Sequence, residues 1–418
     1  MKTVYKLTAI LLIFTVGLVS CSESDLRMPN EITPAQPIHL TARQIEKLNT
    51  TNYFSFKIFR EVSRLQEKPN TFFSPLSLNL ALGMLYNGTT GETRTEMAEV
   101  LGIDHFTDAE INEYFQKMMQ ALLNIDPLTE ISIANSIWYR DSDCFYVKQS
   151  FRDINRTYFD AEVRGLDFDR PDAVDIINQW CSDKTNGRIT EIIDKINDDV
   201  VMYLINALYF KSKWKFEFDR ANTRSGDFTK AKGQTTRVNL MTQTAGLRYF
   251  QDQYLSAVEL PYGNEAFSMV LILPTFPNTC IDKLVEHLDN DTWQNIVENL
   301  HEQNINLRLP RFRVESDIPL NCPVQNAGMQ RIFQGGLENI GHSARGPLAV
   351  SNIKQKTFVE VNEEGTEAAA VTVVEVIAMS LQPNMPIPFH ANRPFLYLIR
   401  EQSTGTILFI GRMDDPTE

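Results

Sequence analysis

Between Phe358 and Ser380 the chain alternates. Val359 and Val361 stand against Glu360 and Asn362, a turn-like Glu363-Glu364-Gly365 follows, and the period of two resumes. The even positions Thr366, Ala368, Ala370, Thr372, Val374 and Val376 are small or β-branched, and none is charged. Glu367 and Glu375 fall on the odd face. This predicts a strand that can lay one face on a core and the other in water, with no proline to interrupt its ladder. Pro383, Pro386 and Pro388 follow and predict an exposed connector.

Elsewhere the periodicity changes several times. Phe54, Ile58, Phe59, Val62 and Leu65 recur at helical spacing. Ser74-Pro75 reads as a helix start, a capping hydroxyl followed by proline, and opens a segment apolar nearly all round and so predicted to be buried. Residues 131–140 read as a strand, 173–186 as a helix stopped by Gly187, and 200–210 as a strand buried on both faces. Residues 257–274 predict two strands around Gly263-Asn264, residues 281–300 one polar helix, residues 353–362 a strand, and the C-terminal segment two strands around Ser403-Thr404-Gly405. The result is an α+β chain. No linker or repeat interrupts it between about 50 and 418, so one domain is expected despite the length.

The first 20 residues are of another kind. Lys2 and Lys6 precede an apolar run from Leu7 to Val19, which predicts a signal peptide over 1–20. Leu18-Val19-Ser20-Cys21 resembles a bacterial lipobox, which implies cleavage before Cys21, lipidation there, and a place in the bacterial cell envelope on a membrane. Pro29, Pro34 and Pro37 among polar residues predict a flexible tether over 21–41, leaving 42–418 as the folded body.

Composition mainly excludes. A net charge of −13 argues against nucleic acid as a partner. Cys144, Cys181, Cys280 and Cys322 fit no zinc or CxxC spacing, so buried free thiols are expected, with pairing left open. There is no HExxH, no GxxxxGK[ST] and no GxGxxG, and Gly341-His342-Ser343-Ala344-Arg345 misses the nucleophile elbow at its fifth residue. Neither an enzyme nor a metal or cofactor protein is expected.

The segment from Asn362 to Ala370, NEEGTEAAA, resembles the hinge of the serpins, inhibitors that trap serine proteases by loop insertion. The likeness spans nearly the whole chain after about residue 50. Residues 206–219, NALYFKSKWKFEFD, and Phe389 through Pro394-Phe395 are similar to other serpin signatures. The resemblance implies the serpin fold of mixed sheets and helices with an exposed reactive-centre loop. It implies a hinge formed by Glu363, Glu364, Gly365, Thr366, Glu367, Ala368, Ala369 and Ala370. Ser74, Ser77 and Asn206 fall at the point where the main sheet opens, and Trp214 under the sheet's top. Gln355 stands where the family usually has histidine; an amide can still donate and accept, but a titratable group is gone.

The resemblance also implies the mechanism. A protease attacks the loop, forms an acyl-enzyme, and is carried off as the freed strand inserts into the sheet. Counting seventeen residues from Glu363 implies a cut at Met379-Ser380, although the loop is a few residues longer than usual. Met379, with Val376, Ile377 and Ala378 before it, suits elastase-, chymotrypsin- or subtilisin-type clefts. No Lys or Arg lies between Lys356 and Arg393, so a trypsin-like enzyme finds nothing to cut in the bait. The partners implied are serine proteases, with cysteine proteases a further class to test, acting on a monomer. A non-inhibitory serpin serving as a surface binding protein is the alternative; bulky or charged residues at inward hinge positions would favour it, and none occurs.

Overall fold

Two sheets of contrasting construction share one core. In the larger, nine strands assemble around Phe267–Pro274, which is flanked by Leu255–Pro261 and Phe395–Glu401. Phe267–Pro274 is buried at every position; its apolar run from Met269 to Pro274 suits that, and Ser268 is satisfied by donating to Glu259 Oε1 at 2.7 Å. The structure is a computed structural model and describes residues 34–366 and 385–417. The described residues from Pro34 onward belong to one compact unit. Cys21, Glu367, Ala368, Ala369, Ala370, Met379 and Ser380 lie outside the described residues.

The second sheet has six strands. In chain order they are β1 (Glu130–Arg140), β2 (Glu162–Leu166), β3 (Met202–Lys213), β4 (Phe312–Pro319), β5 (Lys354–Val361) and β6 (Gly365–Thr366). In space they run β4-β5-β6-β3-β1-β2. Two helices flank this sheet, α2 (Pro75–Tyr86) and α3 (Ala173–Lys184), and α1 (Ala42–Leu65) packs on α2. Helix α2 starts where the sequence predicts: the Ser74 hydroxyl accepts from Ser77 N at 3.1 Å, and Pro75 opens the first turn. It is buried along nearly its whole length. Helix α3 packs on the opposite face, where Ile177, Trp180 and Cys181 meet Ile205 and Ala207 of β3. Strand β3 thus has apolar neighbours on both faces, which is why its sequence does not alternate cleanly.

Four sequence expectations need correction. Residues 281–300 form two helices, Ile281–His287 and Asn290–Asn299, because Asp289 caps a fresh start by accepting from Thr292 N at 2.9 Å. The proline-rich connector contributes a strand, Ile387–His390, parallel to His301–Pro310. Pro388 is tolerated there because this is the last strand of its sheet, where a missing N–H breaks no ladder. Residues 34–41 are not a free tether: Ala35 N donates to Asn264 O at 3.1 Å, Ile38 N to Ser403 Oγ at 2.9 Å, and Ile38 and Leu40 pack on the core. Of the four described cysteines, all free, only Cys181 is buried; burial pushes its thiol up to about 12.

Candidate functional site

The site begins at the upper end of β5. After Val361 the chain turns, with Asn362 Oδ1 accepting from Glu364 N at 3.0 Å and Gly365 N at 3.3 Å. It then comes back as β6, antiparallel to both neighbours: Thr366 faces Val361 on one side and Ser212 on the other, and Gly365 faces Lys213. Strands β3 and β5 therefore run in the same direction. Any strand continuing β6 downward between them would be antiparallel to both.

Glycine at 365 is a steric necessity. A Cβ there would lie 2.1 Å from the Ser212 carbonyl oxygen and 2.7 Å from Lys213 Cα. Thr366 is buried at 2% exposure, and its hydroxyl hydrogen-bonds the Tyr262 hydroxyl at 2.6 Å. Tyr262 stacks on Trp214, with ring centroids 4.5 Å apart. Trp214 Nε1 donates to Asn362 O, and Trp214 N to Glu364 O, both at 2.9 Å. The tryptophan thus holds the turn through its ring and through its backbone.

Two buried carboxylates complete the fastening. Glu363 accepts from Arg311 Nε at 2.7 Å and from the Thr223 hydroxyl at 2.5 Å. Burial pushes its carboxyl up, but these two partners outweigh burial and hold it below the usual carboxylate value. Glu364 pairs with Arg220, while its Oε2 has no hydrogen-bond partner among the described residues. Burial, and to a smaller degree the charge of Glu364, raise the carboxyl of neighbouring Glu217.

Among the described residues nothing continues the ladder between β3 and β5, and a cavity of about 550 Å³ lies there. Tyr203 to Asn206 and Lys354 to Lys356 form its two sides, and Ser77, Leu78 and Leu82 of α2 line it as well. At its margin Gln355 forks the Ser74 backbone, accepting from Ser74 N at 2.7 Å and donating to Ser74 O at 2.9 Å. The Ser74 hydroxyl donates in turn to Leu408 O of the larger sheet at 2.8 Å. Asn206 Nδ2 donates to Asn135 Oδ1 at 2.7 Å, but among the described residues the buried Asn206 Oδ1 has no partner.

Ser74, Ser77, Asn206 and Gln355 are thus brought around one gap, and Trp214 and Glu363 to Thr366 to its upper end. Sequence reasoning missed Arg220, Thr223, Tyr262 and Arg311, which come from distant segments. Their signal was indirect: two adjacent glutamates inside a strand-forming stretch need cationic partners if they are buried.

Among the described residues, the six-stranded sheet has a gap between β3 and β5 below Thr366, on a body of mixed sheets and helices. The family model described as Serpin (serine protease inhibitor) matches residues 49–416, and the chain belongs to the serpin family. Iripin-1 of Ixodes ricinus is 32% identical over 370 residues, 87% of this chain and 93% of the relative. Antithrombin-III of Bos taurus is 34% identical over 390 residues, 90% of this chain and 83% of the relative. Among solved structures, the thermophilic serpin tengpin in its native state matches with a TM-score of 0.82 at 31% identity, over 92% of this chain and 97% of that one. The same protein in its latent state matches with 0.77 at 29% identity, over 91% of this chain and 100% of that one.

Proposed function

We propose that this chain is an inhibitory serpin that traps serine proteases of elastase, chymotrypsin or subtilisin type as acyl-enzymes, by inserting its cut loop between β3 and β5. The observation that carries this reading is β6, a strand begun at the top of a gap and directed down it. Extended residue by residue, its register would set Ala368 between Val359 and Phe210, Ala370 between Thr357 and Leu208, and Thr372 between Gln355 and Asn206. The Thr372 hydroxyl would then supply the donor that Asn206 Oδ1 lacks. Ala368 and Ala370 would meet the buried face, where a charge would be costly.

The chemistry belongs to the protease; this chain supplies a bait and a place for it to go. Attack at Met379-Ser380 frees the segment. About fourteen residues moving into the sheet at ~3.3 Å each carry the bound enzyme roughly 45 Å. About a dozen new ladder bonds at ~1 kcal/mol net offer on the order of 10 kcal/mol before entropy. That is comparable to the stability of a whole domain and suffices to distort an active site that must hold to about an ångström. Insertion must outrun hydrolysis of the ester, so small residues at inward positions favour trapping over simple cleavage.

We extend the reading to location: Cys21 carries lipid and holds the protein, as a monomer, on a membrane of the bacterial cell envelope. Incubation with a protease panel followed by denaturing gels tests the inhibitory reading. Elastase-type enzymes should give SDS-stable adducts and trypsin none, and the released peptide should begin at Ser380 by mass spectrometry. A released peptide beginning at Arg393 or later would refute the assignment of the bait.

A further inference from the structure

We propose that the cavity beneath β3 and β5 binds a fatty acid, with Arg345 at its rim holding the carboxylate. The proposal rests on the reading that this gap receives the cut loop, and it adds a ligand that would compete for the space.

The cavity's size suits a small ligand: about 550 Å³, within the range of roughly 300–1,000 Å³ typical of such sites. Its lining is largely aliphatic and comes from three separate parts of the chain: Leu78 and Leu82 of α2, Leu204 of β3, and Leu337, Leu348 and Val350 of the segment leading to β5. A chain of methylenes makes good contact with such a wall and needs no hydrogen-bond partner from it.

Charge at the rim selects the head group. Arg345, Lys354 and Lys356 line the cavity, together with Asp199. The two lysines are committed: Lys354 lies 3.1 Å and Lys356 3.7 Å from Asp317, with Asp194 and Glu191 also in range. Arg345 differs. Its Nη1 donates to the Asp198 carbonyl oxygen at 2.6 Å, and among the described residues no carboxylate pairs with it. A guanidinium without a carboxylate, beside an aliphatic cavity, is complementary to one anionic group on an apolar tail. A peptide strand would also fit the gap, but would make no use of that charge.

An acyl chain in the cavity would lie along Leu204 to Asn206 and Lys354 to Lys356, the stretch that residues 372–374 would need. Occupancy should therefore delay insertion and divert attacking protease from trapped adduct to simple turnover.

The test uses the full chain, intact and loop-cleaved, with dodecanoate and 1-dodecanol as probes in titration calorimetry. Dodecanoate should bind the intact protein one to one, tightening about fourfold per methylene on lengthening the chain. Arg345→Glu should weaken dodecanoate at least tenfold and leave dodecanol unchanged; residue 345 is exposed, so the fold should tolerate it. The cleaved protein should bind neither. No binding by the intact protein, or equal loss of acid and alcohol in Arg345→Glu, would overturn the site. The two readings separate cleanly. If cleaved protein melts higher while intact protein binds nothing, insertion stands and the site falls. If cleaved protein binds like intact and melts no higher, the site stands and insertion falls.

Discussion

The two sheets solve opposite problems. In the larger one, Phe267–Pro274 is paired along its length on both sides, to Leu255–Pro261 and to Phe395–Glu401. Its central side chains are buried without remainder. In the smaller one, the described residues between β3 and β5 are two, Gly365 and Thr366, and a cavity lies below them among the described residues. Among the described residues, the centre of one sheet is fully paired and the gap in the other is not. On the function proposed above, the smaller sheet changes while the larger holds the frame.

The sharpest way to break the comparison is to cut the loop. If the smaller sheet completes itself, the nicked protein should melt higher in calorimetry, by up to roughly 15 °C, since ordering entropy offsets part of the ~10 kcal/mol of new ladder bonds. Equal melting points would mean that the gap is not a site of insertion. Next in size is Thr366→Arg, which forces a charge into a position 2% exposed. The loop should still be cut, but the SDS-stable adduct should fall at least tenfold; an undiminished adduct would remove the hinge from the mechanism.

Lys47→Met is the control, because the side chain touches helical residues rather than β3 or β5. Lys47 is buried in α1, with its ammonium donating to Thr51 Oγ1 at 2.7 Å and lying over the Tyr114 and Phe115 rings. Burial pushes it from its ordinary 10.5 down to about 7. Between those values the unfolded chain holds a proton that the folded one has released, so stability rises with pH across that window and the full penalty applies below pH 7. The substitution should therefore stabilise by on the order of 2 kcal/mol below about pH 7, with the gain fading toward about pH 10.5. Chemical denaturation against pH would show it, and intact and nicked forms should shift together. The smallest effect is that of Thr372→Val. It should leave the intact protein unchanged and destabilise the nicked form by about 1 kcal/mol, through loss of the donor to Asn206 Oδ1.

Much of this was legible along the chain because it is local. The Ser74-Pro75 helix start, the buried α2 and the alternation of β5 each depend on residues a turn or a pleat apart. The alternation of small side chains at every second position from Thr366 onward also shows in the sequence alone, although beyond Thr366 it lies outside the described residues. What stayed hidden was long-range. Nothing beside Glu363 announces Arg311, and nothing beside Thr366 announces Tyr262. The gap itself had no local signature, because an unpaired edge is a relation between β3 and β5, which lie far apart in the chain. The break at Asp289 was written in local capping chemistry and overridden by the helical pattern around it.

The short strand β6 has a kinetic consequence. Starting a ladder is the expensive part of adding a strand, since two chain ends must first be brought together and aligned before any rung repays the loss of freedom. If the loop inserts as proposed above, that nucleus is already present in the rungs that Gly365 and Thr366 make to Lys213, Ser212 and Val361. On the function proposed above, what remains is propagation, which would have to pass Gln355 where its side chain forks the Ser74 backbone.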